Sequence, residues 1–141
     1  MPKSTTELLN ELQDDSCSLS DYIQNHSDSF IDKDIQSFWE ELIFQSGYSK
    51  SNIINKSDFS YCYFYDVIQG KKAPTKDKVV RLILAMKLSL EQCQAALKIS
   101  GKAALYPKNK RDSILIYAID RGLTITQCNA LLSKYKECEL K

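Results

Sequence analysis

The sequence predicts an all-α protein, and three observations carry that expectation. Glycine and proline are scarce, four and three in 141 residues, so few positions interrupt regular structure. Apolar residues recur at three- and four-residue spacing, while no stretch alternates convincingly with the period of two that marks a half-buried strand. The four glycines, Gly47, Gly70, Gly101 and Gly122, each stand where an apolar periodic segment stops.

The first clear helix is expected over Asp32 to Ser46. Ile35, Phe38, Trp39, Leu42 and Ile43 fall on one stripe, Asp32 and Asp34 suit the positive end of the helix dipole, and Gly47 ends it. Upstream, Thr5 to Gln13 and Ser18 to Gln24 read as short, weakly apolar helices within a loosely attached acidic arm, residues 1–30. After Gly47 the pattern gives a short polar helix from about Lys50 to Asn55 and a turn at Lys56-Ser57-Asp58-Phe59. A second short helix comes next, from about Ser60 to Gln69, closed by Gly70. Lys71-Lys72-Ala73-Pro74 is a basic loop, and Pro74-Thr75 opens a helix running to Lys87 with Val79, Leu82, Ile83 and Met86 on its apolar face. Leu88-Ser89 starts the next helix, in which Ser89 and Gln92 have the spacing of a capping box and Gly101 is the stop.

An internal repeat at an offset of 35 residues organises the C-terminal half of the chain. Asp77, Leu88, Gln92, Cys93, Ala95 and Leu97 recur as Asp112, Leu123, Gln127, Cys128, Ala130 and Leu132. The second copy predicts a helix over Asn109 to Arg121, a turn at Gly122, and a helix over Ile125 to Tyr135 with its own capping box, Thr124 and Gln127. Two copies are too few for a solenoid and read as two stacked hairpins that extend one domain. Cys93 and Cys128 occupy equivalent apolar surroundings, which suits small core residues better than a redox pair. Ile114, Leu115, Ile116, Tyr117 and Ile119 form a run more apolar than one helix face needs, and the excess favours burial on two sides. The domain plan is therefore an arm at 1–30, a helical domain at 31–101, and a helical hairpin at 102–141 packed on it or extending it.

Composition excludes several function classes. No apolar run approaches the roughly 18 residues of a membrane span, and Met1-Pro2-Lys3-Ser4 does not begin a secretory signal, so a cytoplasmic protein without a membrane partner is expected. Five scattered cysteines without a Cys-x-x-Cys pair, and a single histidine, His26, argue against a disulfide scaffold and against a zinc site. No nucleophile, base and acid constellation or Gly-rich phosphate loop is present, so the expectation is a protein that is not an enzyme and needs no cofactor or metal. The near-zero net charge of +1 hides a split. Residues 1–47 hold two basic and ten acidic side chains, net −8, whereas residues 48–141 hold seventeen basic and eight acidic ones, net +9. Such asymmetry points to a polyanionic partner for the basic part.

Basic residues are dense around one feature. A short helix, a turn, a second helix closed by Gly70, a Lys-Lys-x-Pro loop and an apolar helix match the plan by which a recognition helix enters the DNA major groove. Lys71, Lys72, Lys76, Lys78 and Arg81 lie in or just after the loop, with Lys50 and Lys56 bordering the preceding helix. Val67-Ile68-Gln69-Gly70-Lys71-Lys72-Ala73-Pro74, followed by Val79-x-x-Leu82 and Leu88-Ser89-Leu90-Glu91, resembles the lambda-repressor-like helix-turn-helix family, the xenobiotic-response-element type of bacterial and phage regulators. The block through Leu105-Tyr106-Pro107-Lys108 and Lys110-Arg111-Asp112 looks like a subgroup found in Gram-positive bacteria.

The resemblance implies a helix-turn-helix bundle extended by C-terminal helical hairpins, and a transcriptional regulator that binds double-stranded DNA sequence-specifically with recognition helix 60–69. It implies a DNA-contacting set of Lys50, Ser60, Tyr61, Cys62, Tyr65, Gln69, Lys71, Lys72 and Lys76, with Phe64, Val67 and Ile68 turned inward. Tyr61-Cys62-Tyr63-Phe64-Tyr65-Asp66 contains none of the side chains best suited to bidentate base readout. The alternative is therefore an adaptor on the same scaffold that does not bind DNA and engages a protein partner through its aromatic helix or through the acidic arm. The second hairpin has two readings as well, completing the core or pairing two copies as a homodimer.

Overall fold

The computed structural model describes residues 31–141, with side chains from Ile35 onward, and all regular structure among these residues is helical. The short helices expected at 5–13 and 18–24 and the acidic arm at 1–30 lie outside the described residues. In chain order the helices are α1 Ile31–Ser46, α2 Lys50–Ser57, α3 Tyr61–Ile68, α4 Lys76–Met86, α5 Leu90–Ile99, α6 Lys110–Asp120 and α7 Ile125–Lys134. Each helix expected within the described residues is present with ends within about two residues. α2 differs most, continuing to Ser57, whose buried hydroxyl donates to the carbonyls of Ile53 (2.6 Å) and Ile54 (3.2 Å) instead of opening a turn.

One three-residue connection recurs four times: a left-handed residue, an apolar residue, then a Ser or Thr cap. It is Gly47-Tyr48-Ser49, Asp58-Phe59-Ser60, Lys87-Leu88-Ser89 and Gly122-Leu123-Thr124. In the last three, the amide of the apolar residue donates to a carbonyl five residues back, on Ile54, Ile83 and Ala118. This is the Schellman closure of a helix C-terminus. The cap oxygen then accepts the third amide of the following helix, as Ser60 does from Tyr63 at 3.2 Å. Glycine fits the left-handed position without strain at two of these turns, but Asp58 (φ 58°) and Lys87 (φ 56°) adopt it with a side chain attached. The expected capping boxes of α5 and α7 are both formed.

α4 is the centre of the molecule. Every residue from Val79 to Met86 is buried, so the helix is enclosed on all sides, with α2, α5, α6 and α7 against it. The enclosed run includes one charged residue, Arg81. Its Nε donates to the Ser57 carbonyl at the end of α2 (3.0 Å), its Nη1 to the Leu140 carbonyl beyond α7 (3.2 Å), and its Nη2 lies 3.8 Å from Asp58. Arg81 therefore does not face solvent with the loop lysines, because burial obliges its donors to find acceptors inside the protein.

The repeat is two hairpins, α4–α5 and α6–α7, that share one hydrophobic core with α1–α3. Val80, Ile83, Leu84, Cys93 and Leu97 of the first hairpin, and their equivalents Leu115, Ala118, Ile119, Cys128 and Leu132 of the second, are all buried. The two hairpins are also joined by a reciprocal pair of ion bridges at equivalent positions. Lys76 of α4 reaches Asp112 of α6 (2.8 Å), while Arg111 of α6 grips Asp77 of α4 through two hydrogen bonds of 2.8 and 2.9 Å. At the other ends of the same helices, Lys87 Nζ donates to the carbonyl of Gly122. α4 and α6 thus run side by side in one direction. The cross-packing of α4 on α7 and of α5 on α6 completes a two-fold-like relation between the hairpins.

Two consequences are measurable. Burial acts to raise the Asp77 carboxyl, but the Arg111 hydrogen bonds, the Lys141 amide and the nearby cations outweigh it and hold the group below its ordinary value. The native state then binds that proton more weakly than the unfolded chain. Its stabilisation is fully present above the unfolded carboxylate value of about 3.9 and is lost as pH falls through the lower folded value. Asp77→Asn is expected to cost about 1–3 kcal/mol at pH 7, read as a lowered urea midpoint with unchanged slope, and to flatten the acid limb of the stability curve. A variant equal to the parent in midpoint at pH 7 would show that the bridge does not hold the hairpins together.

The second consequence concerns the thiols. Burial pushes Cys93 up to about 12 and Cys128 up to about 11, whereas Cys62 and Cys138 are exposed. A thiol reagent at pH 8 is therefore expected to label Cys62 and Cys138 in the native protein, and Cys93 and Cys128 only on unfolding. Mass spectrometry of the labelled peptides checks this. Because the folded thiol values are raised, this part of the stability is complete below the unfolded value of about 8.5 and declines as pH rises toward the folded values.

Candidate functional site

α3 is eight residues long and strongly two-sided. Phe64, Val67 and Ile68 are sealed in the core, which turns Tyr61 and Tyr65 outward one helical turn apart, with Cys62 beside Tyr61, as expected. The Ser60 cap and the left-handed Asp58 fix where the helix starts, and buried Phe59 anchors the turn. At the far end the amides of Lys71 (2.8 Å) and Lys72 (3.2 Å) both donate to the Asp66 carbonyl, so the Lys71-Lys72 loop is folded back onto α3.

The outward surface is a row of aromatic rings edged by lysines. Tyr61 and Tyr65 pack with centroids 4.7 Å apart, and hydrogen bonding to Tyr65 is the main cause that raises the Tyr61 phenol above its ordinary value. Tyr63 is half-buried, packs on Phe59 at 5.3 Å, and is raised by burial. Lys50 lies 5.7 Å from the Tyr65 ring, Lys72 lies 5.9 Å from the Tyr63 ring, and Lys78 approaches both Phe59 (5.3 Å) and Tyr63 (5.9 Å). These separations are within cation–π reach, so the rings help to hold ammonium groups along both margins of the helix.

Most of the site residues expected from the sequence converge here. Ser60, Tyr61, Cys62, Gln69, Lys71 and Lys72 are exposed, and Tyr65 and Lys50 are half-exposed. Two lysines are partly committed, Lys50 to Glu40 (2.9 Å) and Lys72 to Asp66 (3.6 Å), whereas Lys71 has no acidic partner among the described residues. The Lys72 bridge also offsets the one negative charge on α3.

Lys76 departs from the expected set. Its ammonium is bound to the buried carboxylate of Asp112, so its charge is committed between the hairpins. The sequence carried the signal, since Lys76-Asp77 recurs at the 35-residue offset as Arg111-Asp112. Lys78 takes its place on the margin of α3. The Thr75 cap, which accepts from the Lys78 amide (3.2 Å), sets its position on the first turn of α4. Lys56, expected to border α2, lies in its last turn with the ammonium 3.8 Å from the Tyr48 ring.

Among the described residues no group of three or more His, Cys, Asp or Glu is arranged to hold a metal ion, and no helix is long and apolar enough to cross a membrane. Comparison with protein-family models, with curated proteins and with solved structures returned no match.

Proposed function

We propose that this chain is a DNA-binding transcriptional regulator in which α3 is presented to double-stranded DNA, as the helix-turn-helix resemblance implies. The observation that carries the reading is the margin of Lys50, Lys71, Lys72 and Lys78 around an outward tyrosine row on a short helix capped at its start. Phosphate contacts from these lysines supply most of the affinity, and the tyrosines add contacts to phosphates and thymine methyl groups. With Gln69 as the one amide side chain on this surface, sequence preference rests more on duplex shape than on a base-edge code.

A second reading is favoured by one specific observation. Tyr61 is 65% exposed and packs at a tilt against Tyr65, an aromatic pair of the kind that anchors protein interfaces. On this reading the same face docks a protein partner and DNA is not bound.

Fluorescence anisotropy with a labelled random-sequence duplex separates the two. Four phosphate-contacting lysines predict that log Kobs falls with log salt at a slope of about −3.5. Lys71→Glu with Lys72→Glu is expected to weaken binding at least about tenfold and to reduce that slope by roughly 2. Lys76→Gln acts as the contrast, because it lowers stability through the lost Asp112 bridge and leaves the slope unchanged in the folded fraction. No duplex binding at about 50 mM salt would refute the DNA reading and leave the docking surface.

A further inference from the structure

The hairpin repeat places a second loop beside the basic one. Because α4 and α6 run side by side in one direction, the segment that leads into α6, residues 101–109, lies at the same end of the hairpins as the Lys71-Lys72-Ala73-Pro74 loop that leads into α4. Two contacts bring the segments together. Ile99 and Ser100, where α5 ends, line one small cleft with Lys72, Ala73 and Pro74. Further along, a single oxygen of Asp112 accepts from both Lys76 Nζ (2.8 Å) and the Tyr106 amide (3.0 Å). The second loop therefore continues the surface of the first.

It is also held in one shape. The Gln94 side chain accepts from the Leu105 amide (2.8 Å) and donates to the Leu105 carbonyl (3.0 Å), and the Leu105 side chain is buried. Around this anchor Lys102, Tyr106 and Lys108 are exposed. A loop ordered in advance loses little conformational entropy when it meets a ligand.

Charge shows what kind of ligand the loop suits. Gln92 to Arg111 is the longest stretch of the chain without an acidic residue, and it carries Lys98, Lys102, Lys108, Lys110 and Arg111. Three of these serve the protein itself. Arg111 grips Asp77, Lys110 donates to the Tyr135 carbonyl (2.7 Å), and Lys98 stands in the last turn of α5 at the negative end of its dipole. Lys102 and Lys108 have no acidic partner among the described residues. Two exposed ammonium groups flanking an exposed phenol, on a segment free of carboxylates, suit phosphate oxygens.

We propose that residues 102–108 are a second phosphate-binding element, in which Lys102, Tyr106 and Lys108 contact the backbone of the same duplex that α3 meets, beyond the phosphates reached by Lys71 and Lys72. The inference rests on the DNA reading of α3 and carries that contact from the first hairpin to the second. Packed helix axes lie about 8–10 Å apart, and a duplex presents one phosphate charge per about 1.7 Å of its axis. The distance from one loop to the next is thus a few base pairs, and one duplex can engage both.

Fluorescence anisotropy of the full chain with the labelled duplex tests it. The two added lysines steepen the expected slope of log Kobs against log salt from about −3.5 to about −5.3. Lys102→Gln and Lys108→Gln are each expected to reduce the slope by about 0.9 and, combined, to weaken binding at least about tenfold. The thermal midpoint should stay close to the parent value, since neither side chain bonds elsewhere in the protein among the described residues. Arg121→Gln removes the same charge at the opposite end of α6 and should leave the slope unchanged, which separates a contact from a general loss of charge. A parent slope near −3.5 that the double variant does not alter, with Lys71→Glu plus Lys72→Glu still weakening binding, would overturn this proposal and leave the α3 reading standing. An equal slope change from Arg121→Gln would overturn it as well. Absence of duplex binding by the parent would instead refute the α3 reading and this extension with it.

Discussion

The enclosure of α4 is the constraint on which the rest depends. Over Val79 to Met86 the helix has no solvent side, so a polar group within that run, or at its edge and turned toward another helix, needs a partner supplied by another segment. Arg81 draws in the end of α2 through the Ser57 carbonyl and the segment beyond α7 through the Leu140 carbonyl. Asp77 draws in Arg111, and Lys76 draws in Asp112. The segment after α7 is fixed by the same group of contacts, since Arg111 also donates to the Cys138 carbonyl (3.0 Å) and Asp77 accepts the Lys141 amide (3.1 Å). Leu140 is buried in consequence. A polar requirement at three positions on one helix thereby specifies how two hairpins and the α2–α3 turn assemble around it.

That requirement also changes the meaning of the positive excess in residues 48–141. Counted along the chain, Lys71 to Arg81 is a basic cluster, and Lys102 to Arg111 is another. In three dimensions Arg81, Lys76 and Arg111 are internal or paired, and they offset carboxylates and carbonyls of the protein itself. The cations directed outward at α3 are fewer: Lys71 unpaired among the described residues, Lys78 on the aromatic margin, and Lys50 and Lys72 sharing their charge with Glu40 and Asp66. Charge position, more than charge number, sets what a polyanion would meet.

The helices were legible in the sequence because their signals are local. Ser and Thr caps, the Ser89/Gln92 and Thr124/Gln127 boxes, and the apolar stripe of α1 act within one or two turns and survive in any tertiary setting. The turns at Gly47 and Gly122 were legible for the same reason. Those at Asp58 and Lys87 were harder, because the left-handed conformation there is held by the Schellman hydrogen bonds and by buried Phe59 and Leu88, not by the residue itself. The aromatic face of α3 could be read from periodicity, since Phe64, Val67 and Ile68 mark the opposite side. Lys76 could not be assigned from its neighbours alone, because its partner lies 36 residues away and the pairing exists only once the hairpins are packed. The recurrence of a cation followed by aspartate at the start of α4 and of α6 was the available clue. It becomes intelligible only when the repeat is read as two faces in contact instead of two similar segments.

The candidate surface and the second hairpin are joined through a single side chain. Arg81 holds the carbonyl that ends α2, one residue before the left-handed Asp58 that starts the turn into α3, and it holds Leu140 with the same guanidinium. Each of these acceptors is a main-chain carbonyl, so the contact restrains backbone position and not only side-chain packing. α3 is short, and its presentation rests on the buried Phe64, Val67 and Ile68 together with this fixed turn at its start, while the Asp66 carbonyl holds the Lys71-Lys72 loop against its end. The outward tyrosines and lysines are exposed, yet what orders them lies beneath, in the buried polar contacts that the enclosure of α4 requires. A surface built this way keeps its geometry while its outward residues vary, because none of Tyr61, Cys62 or Gln69 is needed to keep the core closed.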